Sequence, residues 1–546
     1  MHKPDISLDD TRNARARTAA QSAAETLGVQ PTGVVQYRSR GRVLIVGGEE
    51  AQWLAARLKH PLHAEVLLTE GDDEPGVPTT PTGGRDIRIS GHLGAYSVEL
   101  GEPGKHNHQT ILVDMVIDLG LQPLISRELL PPGYWHFGRE MQDLDAATLA
   151  LEGMVGTFEK PRFFAYDANI CAHARSGQHG CRRCIDACPA EAIISIGEQV
   201  EVNPNLCQGG GICASVCPSG AMRYAYPGPG DTAQRLRLML KTYAEAGGSD
   251  PVILFVSDDD VTGLAPTPPN VLLVVVEELA SVGHELWLAA LSWGASCVLL
   301  ADSGSVPPKA REALNQQISY SHDLLKGLGY STDALRIVDS GQAPADCPPA
   351  AGLPIAATFA ALDQKRELAG MALDHLWQHS QQRPERFSIL PGAPYGGIRI
   401  DADKCTLCMS CTSVCPAKAL SAGEDIPRVL LHEANCVQCG ICSNSCPEQA
   451  ITLEARYLAD PEKRRQPQVL HEEPPFCCVA CGKPFATRRV IDNILDKLSG
   501  HAMFQTERAR QRLKMCEDCR VVDAIQDTEA MQSGLFGKQT RHTTDG

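Results

Sequence analysis

Cys405, Cys408, Cys411 and Cys415-Pro416 follow the spacing C-x2-C-x2-C-x3-C-P, and Cys436, Cys439, Cys442 and Cys446-Pro447 repeat it. Three thiolates on one tight loop fit three corners of an iron–sulfur cube, and the fourth corner must be met from elsewhere in the chain. The same pattern is written less regularly upstream. It reads Cys171-x9-Cys181-x2-Cys184-x3-Cys188-Pro189, then Cys207-x5-Cys213-x3-Cys217-Pro218. A third block, Phe476 to Phe485, carries Cys478 and Cys481, and Cys516 and Cys519 form another C-x2-C pair. Two such pairs supply the four thiolates of a closed tetrahedral site, the habit of structural zinc. The chain holds 22 cysteines, most of them at two- and three-residue gaps. Thiols so spaced point to metal thiolates in a reducing compartment rather than to disulfides.

The tandem run at 405–446 resembles the bacterial dicluster ferredoxins, in which the fourth cysteine of each motif ligates the cluster of the other. That rule assigns one [4Fe–4S] cluster to Cys405, Cys408, Cys411 and Cys446, and a second to Cys436, Cys439, Cys442 and Cys415. The upstream pair departs from the pattern twice. Its first gap is stretched, which is tolerable if Cys171 folds back. Cys171, Cys181, Cys184 and Cys217 then hold a [4Fe–4S] cluster. His173 and His179 lie in the insertion and are read as solvent-exposed loop residues, with substitution for Cys171 the alternative. In the second motif Gly210 stands where a cysteine is expected. Cys188, Cys207 and Cys213 then fit a [3Fe–4S] cluster, a [4Fe–4S] cluster with one open iron, or a degenerate scaffold.

Zinc is the expected occupant of Cys478, Cys481, Cys516 and Cys519, with a rubredoxin-type iron or a further cluster as rivals. Cys477 reads as a bystander, and Cys297 and Cys347 as unliganded. Residues 507–514 contain Arg508, Arg510, Arg512 and Lys514. This basic face is either solvated or a dock for an acidic partner. No Walker A, G-x-S-x-G or C-x3-C-x2-C motif is present. No acid, base or nucleophile is arranged for substrate chemistry.

The elements that position these residues recur as one unit. A short strand, a turn with Asp or Asn, cysteines and a Cys-Pro exit appear four times, at Phe164–Cys188, Val200–Cys217, Ile398–Cys415 and Val429–Cys446. Around them, buried strands alternate with helices, which favours mainly parallel sheets. The expected strands of the first α/β segment are 43–46, 65–68 and 111–117, with a hairpin over 87–100. Those of the second are 252–256, 271–276, 297–300 and 335–338, with helices at 277–291 and 309–328. A further helix is expected at 358–379. Val43–Gly48 with Glu70 has the outline of a dinucleotide-binding unit. Without G-x-G-x-x-G, and with Glu49 and Glu50 at the turn, it reads as plain structure.

The fold class expected is α/β plus α+β. Two bacterial dicluster ferredoxin modules are joined to two α/β domains, with a small C-terminal zinc-ribbon-like module. The boundaries are a flexible tail at 1–35, an α/β domain with hairpin at 36–160 and the first module at 161–228. A second α/β domain at 234–342 and a linker with helix at 343–395 follow. The second module spans 396–456, the four-cysteine module 470–525 and a tail 526–546.

Fifty basic residues against 66 acidic ones give a formal charge of −16. That balance disfavours general nucleic-acid binding. The start lacks a secretory pattern and no apolar run reaches membrane-spanning length, so the expectation is a soluble cytoplasmic protein without membrane insertion.

The chain from about residue 42 resembles the large 4Fe–4S ferredoxin-type proteins of proteobacteria that are often encoded beside formate dehydrogenase. The resemblance rests on Phe158–Asp167, Cys481–Phe485 and Met515–Arg520 as well as the cluster motifs. Residues 286–338 are weakly similar to the delta subunit of methyl-viologen-reducing hydrogenase. The resemblance implies an electron carrier or adaptor for a redox protein partner such as formate dehydrogenase, and more likely no enzyme in itself. The alternatives are a subunit of a flavin-linked reductase, and an assembly or redox-sensing factor for a metalloenzyme.

Overall fold

The computed structural model describes residues 8–73, 76–138, 150–341, 355–424 and 426–527. The chain divides into two compact units. One comprises Met1–His173 and Cys181–Leu390, the other Ala174–Gly180 and Pro391–Gly546. Both expected α/β domains and the first cysteine module, apart from its insertion Ala174–Gly180, thus belong to one unit. Cys347 and the Pro/Ala segment 343–354 lie outside the described residues, as does the expected tail beyond 527.

In the first unit, apolar runs at Arg42–Gly47, His63–Leu68 and Met115–Asp118 build a parallel sheet, completed by Thr79–Pro81 and Tyr134–His136. Alternate side chains go to opposite faces. Leu44, Val46 and Val116 pack against Tyr96, Val98 and Leu100 of an antiparallel sheet, while Val43, Ile45 and Ile117 pack with Ala51 and Leu54 of the helix Glu49–Ala55. The expected strand 111–117 is two strands, Gln109–Val113 and Met115–Asp118, in different sheets. Asp114 at the break is buried. Its carboxylate accepts the backbone N–H groups of Arg40 and Arg42 and pairs with the Arg42 guanidinium at 2.7 Å. A strand cannot carry that charge through a sheet without such partners.

The second α/β segment is a four-stranded parallel sheet in the order Val271–Val276, Val252–Ser257, Cys297–Asp302, Leu335–Asp339. Its helix begins at His284, after a 3-10 turn at Leu279–Ser281, rather than at 277. All nine residues of His284–Ser292 are buried, so this helix is covered on every side. Helix Pro308–Gly327 matches expectation closely, and the expected helix 358–379 begins at Lys365. Residues 8–25 are a helix rather than a tail. Ala16, Ala20 and Ala24, spaced one turn apart, are buried where it meets the helix Pro229–Glu245. Small side chains let the two backbones approach, a signal that low apolar content hides.

The two cysteine modules share one strand arrangement. In the first, Phe164–Tyr166 pairs antiparallel with Met222–Tyr224 and Ile193–Ile196 with Gln199–Val202. In the second, Gly397–Ile400 pairs with Ile451–Glu454 and Leu420–Ala422 with Arg428–Leu431. The first and last strands of each module close on each other, which brings each Cys-Pro exit beside the partner motif. Among the described residues no helix is long and apolar enough to cross a membrane.

Candidate iron–sulfur centres and a four-cysteine site

The cysteine loops adopt a left-handed backbone at fixed places. The residues two and four after the first cysteine have positive φ in three loops: Leu407 and Met409, Gln438 and Gly440, Gly209 and Gly211. Such a backbone turns successive N–H groups toward one concavity, where anionic sulfur is favoured. Each Cys-Pro exit has the same bend, at Glu191, Gly220, Lys418 and Gln449. After it, a backbone N–H donates to the exit thiol. Ala192 reaches Cys188 at 3.4 Å, Met222 reaches Cys217 at 3.3 Å, Ala419 reaches Cys415 at 3.2 Å and Ala450 reaches Cys446 at 3.3 Å.

In the second module, Cys415, Cys436, Cys439 and Cys442 line a cavity of ≈ 380 Å³. Burial pushes the Cys442 thiol up, and the neighbouring Cys436, Cys439 and Cys415 add to the effect. Burial pushes Cys411 up to about 12, with Cys405, Cys408 and Cys446 contributing next. Four close thiolates without a cation repel one another and lose hydration, so these groups call for bound iron to ionise.

In the first module, Cys171, Cys181, Cys184 and Cys217 line a cavity of ≈ 330 Å³. The stretched gap is closed at its neck by the Cys181 N–H donating to the Ala172 carbonyl at 2.8 Å. The insertion itself is a short hairpin, Ala174–Arg175 with Gln178–His179. Tyr166, a residue that the motif did not mark, bonds its hydroxyl to the Cys171 thiol. His173 corrects the expectation of an exposed loop histidine: it is 1% exposed. Its Nδ1 lies 2.9 Å from the Cys181 carbonyl and its Nε2 lies 2.7 Å from Ser195 Oγ. Both ring nitrogens are engaged, so it acts as a brace for the stretched loop. His179 is exposed, as expected.

The three-cysteine site keeps the loop of its complete counterparts. Gly210 sits where Cys408 and Cys439 sit, and a Cβ built on it meets nothing within 4 Å. Gly209 and Gly211 are different. Cβ atoms there would meet the Phe163 ring at 3.1 Å and Ser281 at 2.4 Å. Burial pushes Cys213 well above the usual thiol range, with Cys207 and Cys188 the next contributors. Lys160 Nζ donates to the Cys207 carbonyl at 2.6 Å, and burial lowers it to about 8. The Tyr224 hydroxyl is buried without a protein partner, on a residue that feels Cys207 and Cys213. A cluster sulfide is an acceptor of the kind this orphaned hydroxyl lacks.

Cys478, Cys481, Cys516 and Cys519 converge with all four sulfurs within 4.8 Å of one another. Cys478 and Cys481 lie on the turn of the hairpin Pro475–Cys477 with Pro484–Thr487. The second pair differs from a ribbon. Cys516 caps the helix Glu517–Gln526, so this half of the site is a helix start and not a second knuckle. Cys478 is burdened by desolvation, yet the N–H groups of Cys481, Cys516 and Ala480 outweigh it and lower the thiol to about 6. Such a sulfur is ready to bind a cation. Cys477 is exposed and stands outside the group.

The hairpin also reaches the neighbouring loop. Thr487, 1% exposed, donates to the Thr406 carbonyl at 3.3 Å, and Arg489 donates to the carbonyl of Ala402. The basic face at 507–514 is largely consumed internally. Arg508 and Arg512 pair with Asp523 and Asp527 of the following helix, and Arg510 donates to the Phe504 carbonyl. A nucleotide reading of Gly47-Gly48 also gains nothing, since Glu50 Oε1 accepts the Gly48 N–H at 3.1 Å. A carboxylate occupies the place a phosphate would need. Cys297 is buried and donates to the Asp333 carbonyl at 3.4 Å.

A family model described as a 4Fe-4S dicluster domain matches residues 404–451, and a 4Fe-4S binding domain model matches residues 200–223. No curated protein matches the chain. The chain therefore contains two ferredoxin-type 4Fe–4S domains. The second match spans Gly210, the position that lacks its cysteine.

Proposed function

We propose that the protein is an electron carrier that relays single electrons through several iron–sulfur clusters. The observation that carries this reading is the gathering of thiols from sister motifs around shared cavities, within domains of the 4Fe–4S type. The proposed ligand sets are Cys405, Cys408, Cys411 and Cys446; Cys436, Cys439, Cys442 and Cys415; and Cys171, Cys181, Cys184 and Cys217. We read Cys188, Cys207 and Cys213 as holding a [3Fe–4S] cluster, because the loop keeps its shape while the fourth corner has no thiol. Zinc fits Cys478, Cys481, Cys516 and Cys519, the all-sulfur set of a closed structural site.

When bound, a cluster supplies one-electron exchange with little change of shape. The chain excludes water with the apolar lining of each cavity. It donates backbone N–H groups to sulfur, which makes the added electron easier to accept. A cluster load of this size needs a reducing compartment, which supports a cytoplasmic setting. The resemblance seen in the sequence makes formate dehydrogenase the first partner to try.

Two experiments test this. Cys439→Ser should remove one reducible cluster and leave the others. Anaerobic affinity purification from the native host should bring down a redox enzyme. Retained electron flow to that enzyme after Cys439→Ser would sink the relay. Recovery of maturation chaperones alone would favour the assembly or sensing alternative.

A further inference from the structure

Two lysines reach the first module, the buried Lys365 and the half-buried Lys160. Lys365 opens the helix Lys365–His379, and its side chain is 7% exposed. Its Nζ donates to the Ala214 carbonyl at 3.0 Å and to the Ser215 carbonyl. Those carbonyls end the short helix Ile212–Ser215, which carries Cys213 and is followed by Cys217. The ammonium thus holds carbonyls that lie between Cys213 and Cys217 in sequence. Lys365 is ion-paired with the buried Glu285, whose Oε2 lies at 3.5 Å, so the pair brings no net charge. His284 adds no compensating charge, because burial, and then Lys365 and Arg366, keep its ring neutral. Arg366 Nη1 donates to the Pro218 carbonyl at 3.3 Å, next to Cys217.

Lys160 is the second cation. Its Nζ bonds the carbonyls of Asn205 and Cys207 and lies 4.8 Å from the Tyr37 ring centroid. Among the described residues no carboxylate pairs with it.

The second module is furnished differently. Among the described residues no lysine or arginine donates to the helices Ser410–Ser413 and Ile441–Asn444, which correspond to Ile212–Ser215. Two of the cations near its loops are held by acids, as Lys365 is and Lys160 is not. Arg489 has Glu473 at 3.3 Å, and Arg456 has Glu433 at 2.8 Å and Glu454 at 3.0 Å. Backbone N–H donation to the exit thiols is the same in both modules, so it does not distinguish them.

We propose that Lys160 sets the three-cysteine site of the first module at a higher reduction potential than the clusters of the second, which makes that site the resting place of an electron shared by the chain. This inference rests on the cluster reading above. A fixed positive charge in a poorly screened interior stabilises the reduced, more negative cluster. Lys160 acts on the three-cysteine site through Cys207, whereas Lys365 is neutralised by Glu285 and braces the helix that carries Cys213. They are positioning residues, and neither is a ligand.

The test uses the full chain purified anaerobically, titrated stepwise with dithionite and followed by electron paramagnetic resonance. A Cys408→Ser, Cys439→Ser double variant removes second-module signals and so assigns the remainder. In the wild type, the oxidised three-iron signal should fade at a higher potential than that at which the second-module signals develop. Lys160→Met should move the three-cysteine signal to lower potential and leave the second module where it was. Lys365→Met with Glu285→Gln is the control: it removes a neutral ion pair and should leave the potentials in place. Reduction of the second module first, or an unmoved three-cysteine potential in a Lys160→Met chain that retains full iron and sulfide, would overturn the proposal. Absence of iron and sulfide from the wild-type chain is a different failure, that of the cluster reading itself.

Discussion

Gly210→Cys should complete the three-cysteine site. The structure sets what the substitution costs. Gly210 lacks a left-handed φ, and its Cβ would enter open space. Replacing a glycine that the new residue can mimic stabilises by roughly 0.4–1 kcal/mol through the unfolded chain. The fold should therefore accept the cysteine within about 1 kcal/mol. Gly211→Ala is the contrasting control. Its φ is +70 and its Cβ would lie 2.4 Å from Ser281 Cβ. Strain and overpacking there should cost on the order of 2–4 kcal/mol. With four thiolates the site holds a cubane, so metal analysis should find one additional iron per chain. The oxidised paramagnetic signal of a three-iron cluster should vanish and a reduced-state signal should replace it. Unchanged iron, an unchanged oxidised spectrum and ready alkylation of the new thiol would refute the reasoning.

Three other perturbations follow from the same contacts. Cys481→Ser should release the metal of the C-terminal site, read as loss of one zinc per chain by mass spectrometry of the native protein, while cluster iron is retained. Thr487→Ala removes the helix cap on Val490 and the bond to the Thr406 carbonyl. Those losses together should cost roughly 2–3 kcal/mol in urea denaturation, and Thr487→Ser should recover most of it. Glu278 is raised to about 7 by burial, with Asp259, Glu277 and Asp260 adding to it. The folded state then holds a proton that the unfolded state releases near pH 4.5, so its contribution is complete below that pH. It is lost as pH rises through about 7. After solvent screening the loss is about 1–2 kcal/mol, and Glu278→Gln should flatten the profile.

The cluster loops were legible because ligand chemistry ties residue type to spacing. Cys405 to Cys446 could be read directly from the repeat. The stretched gap at Cys171 could be read only as a condition, since nothing in the residues 172–180 reveals a hairpin closed by His173. The strand pairing within each module was not read from the repeat and comes from the structure. The parallel strands were legible as apolar runs, whereas the break at Asp114 was not, because its partners Arg40 and Arg42 lie some seventy residues away. The helix Leu8–Glu25 could be read only as a loose helix or a tail, because alanine packing leaves little hydrophobic pattern. Lys365 and Thr487 carry no motif at all, and Lys160 lies in the stretch Phe158–Asp167 without any mark of its role. Their relevance comes from burial and from carbonyls that tertiary structure alone brings to them. The basic face at 507–514 misled in the opposite sense, since Asp523 and Asp527 meet it one helix later.

The central claim is that these thiols hold reducible iron–sulfur clusters. The most direct measurement is iron and acid-labile sulfide analysis of the anaerobically purified chain, combined with its paramagnetic spectrum before and after dithionite. The account predicts near-equal iron and sulfide, a three-iron signal in the oxidised chain and one-electron signals of several [4Fe–4S] clusters on reduction. Zinc in place of iron at the ferredoxin-type loops, or iron without sulfide and without a reduced-state signal, would contradict it.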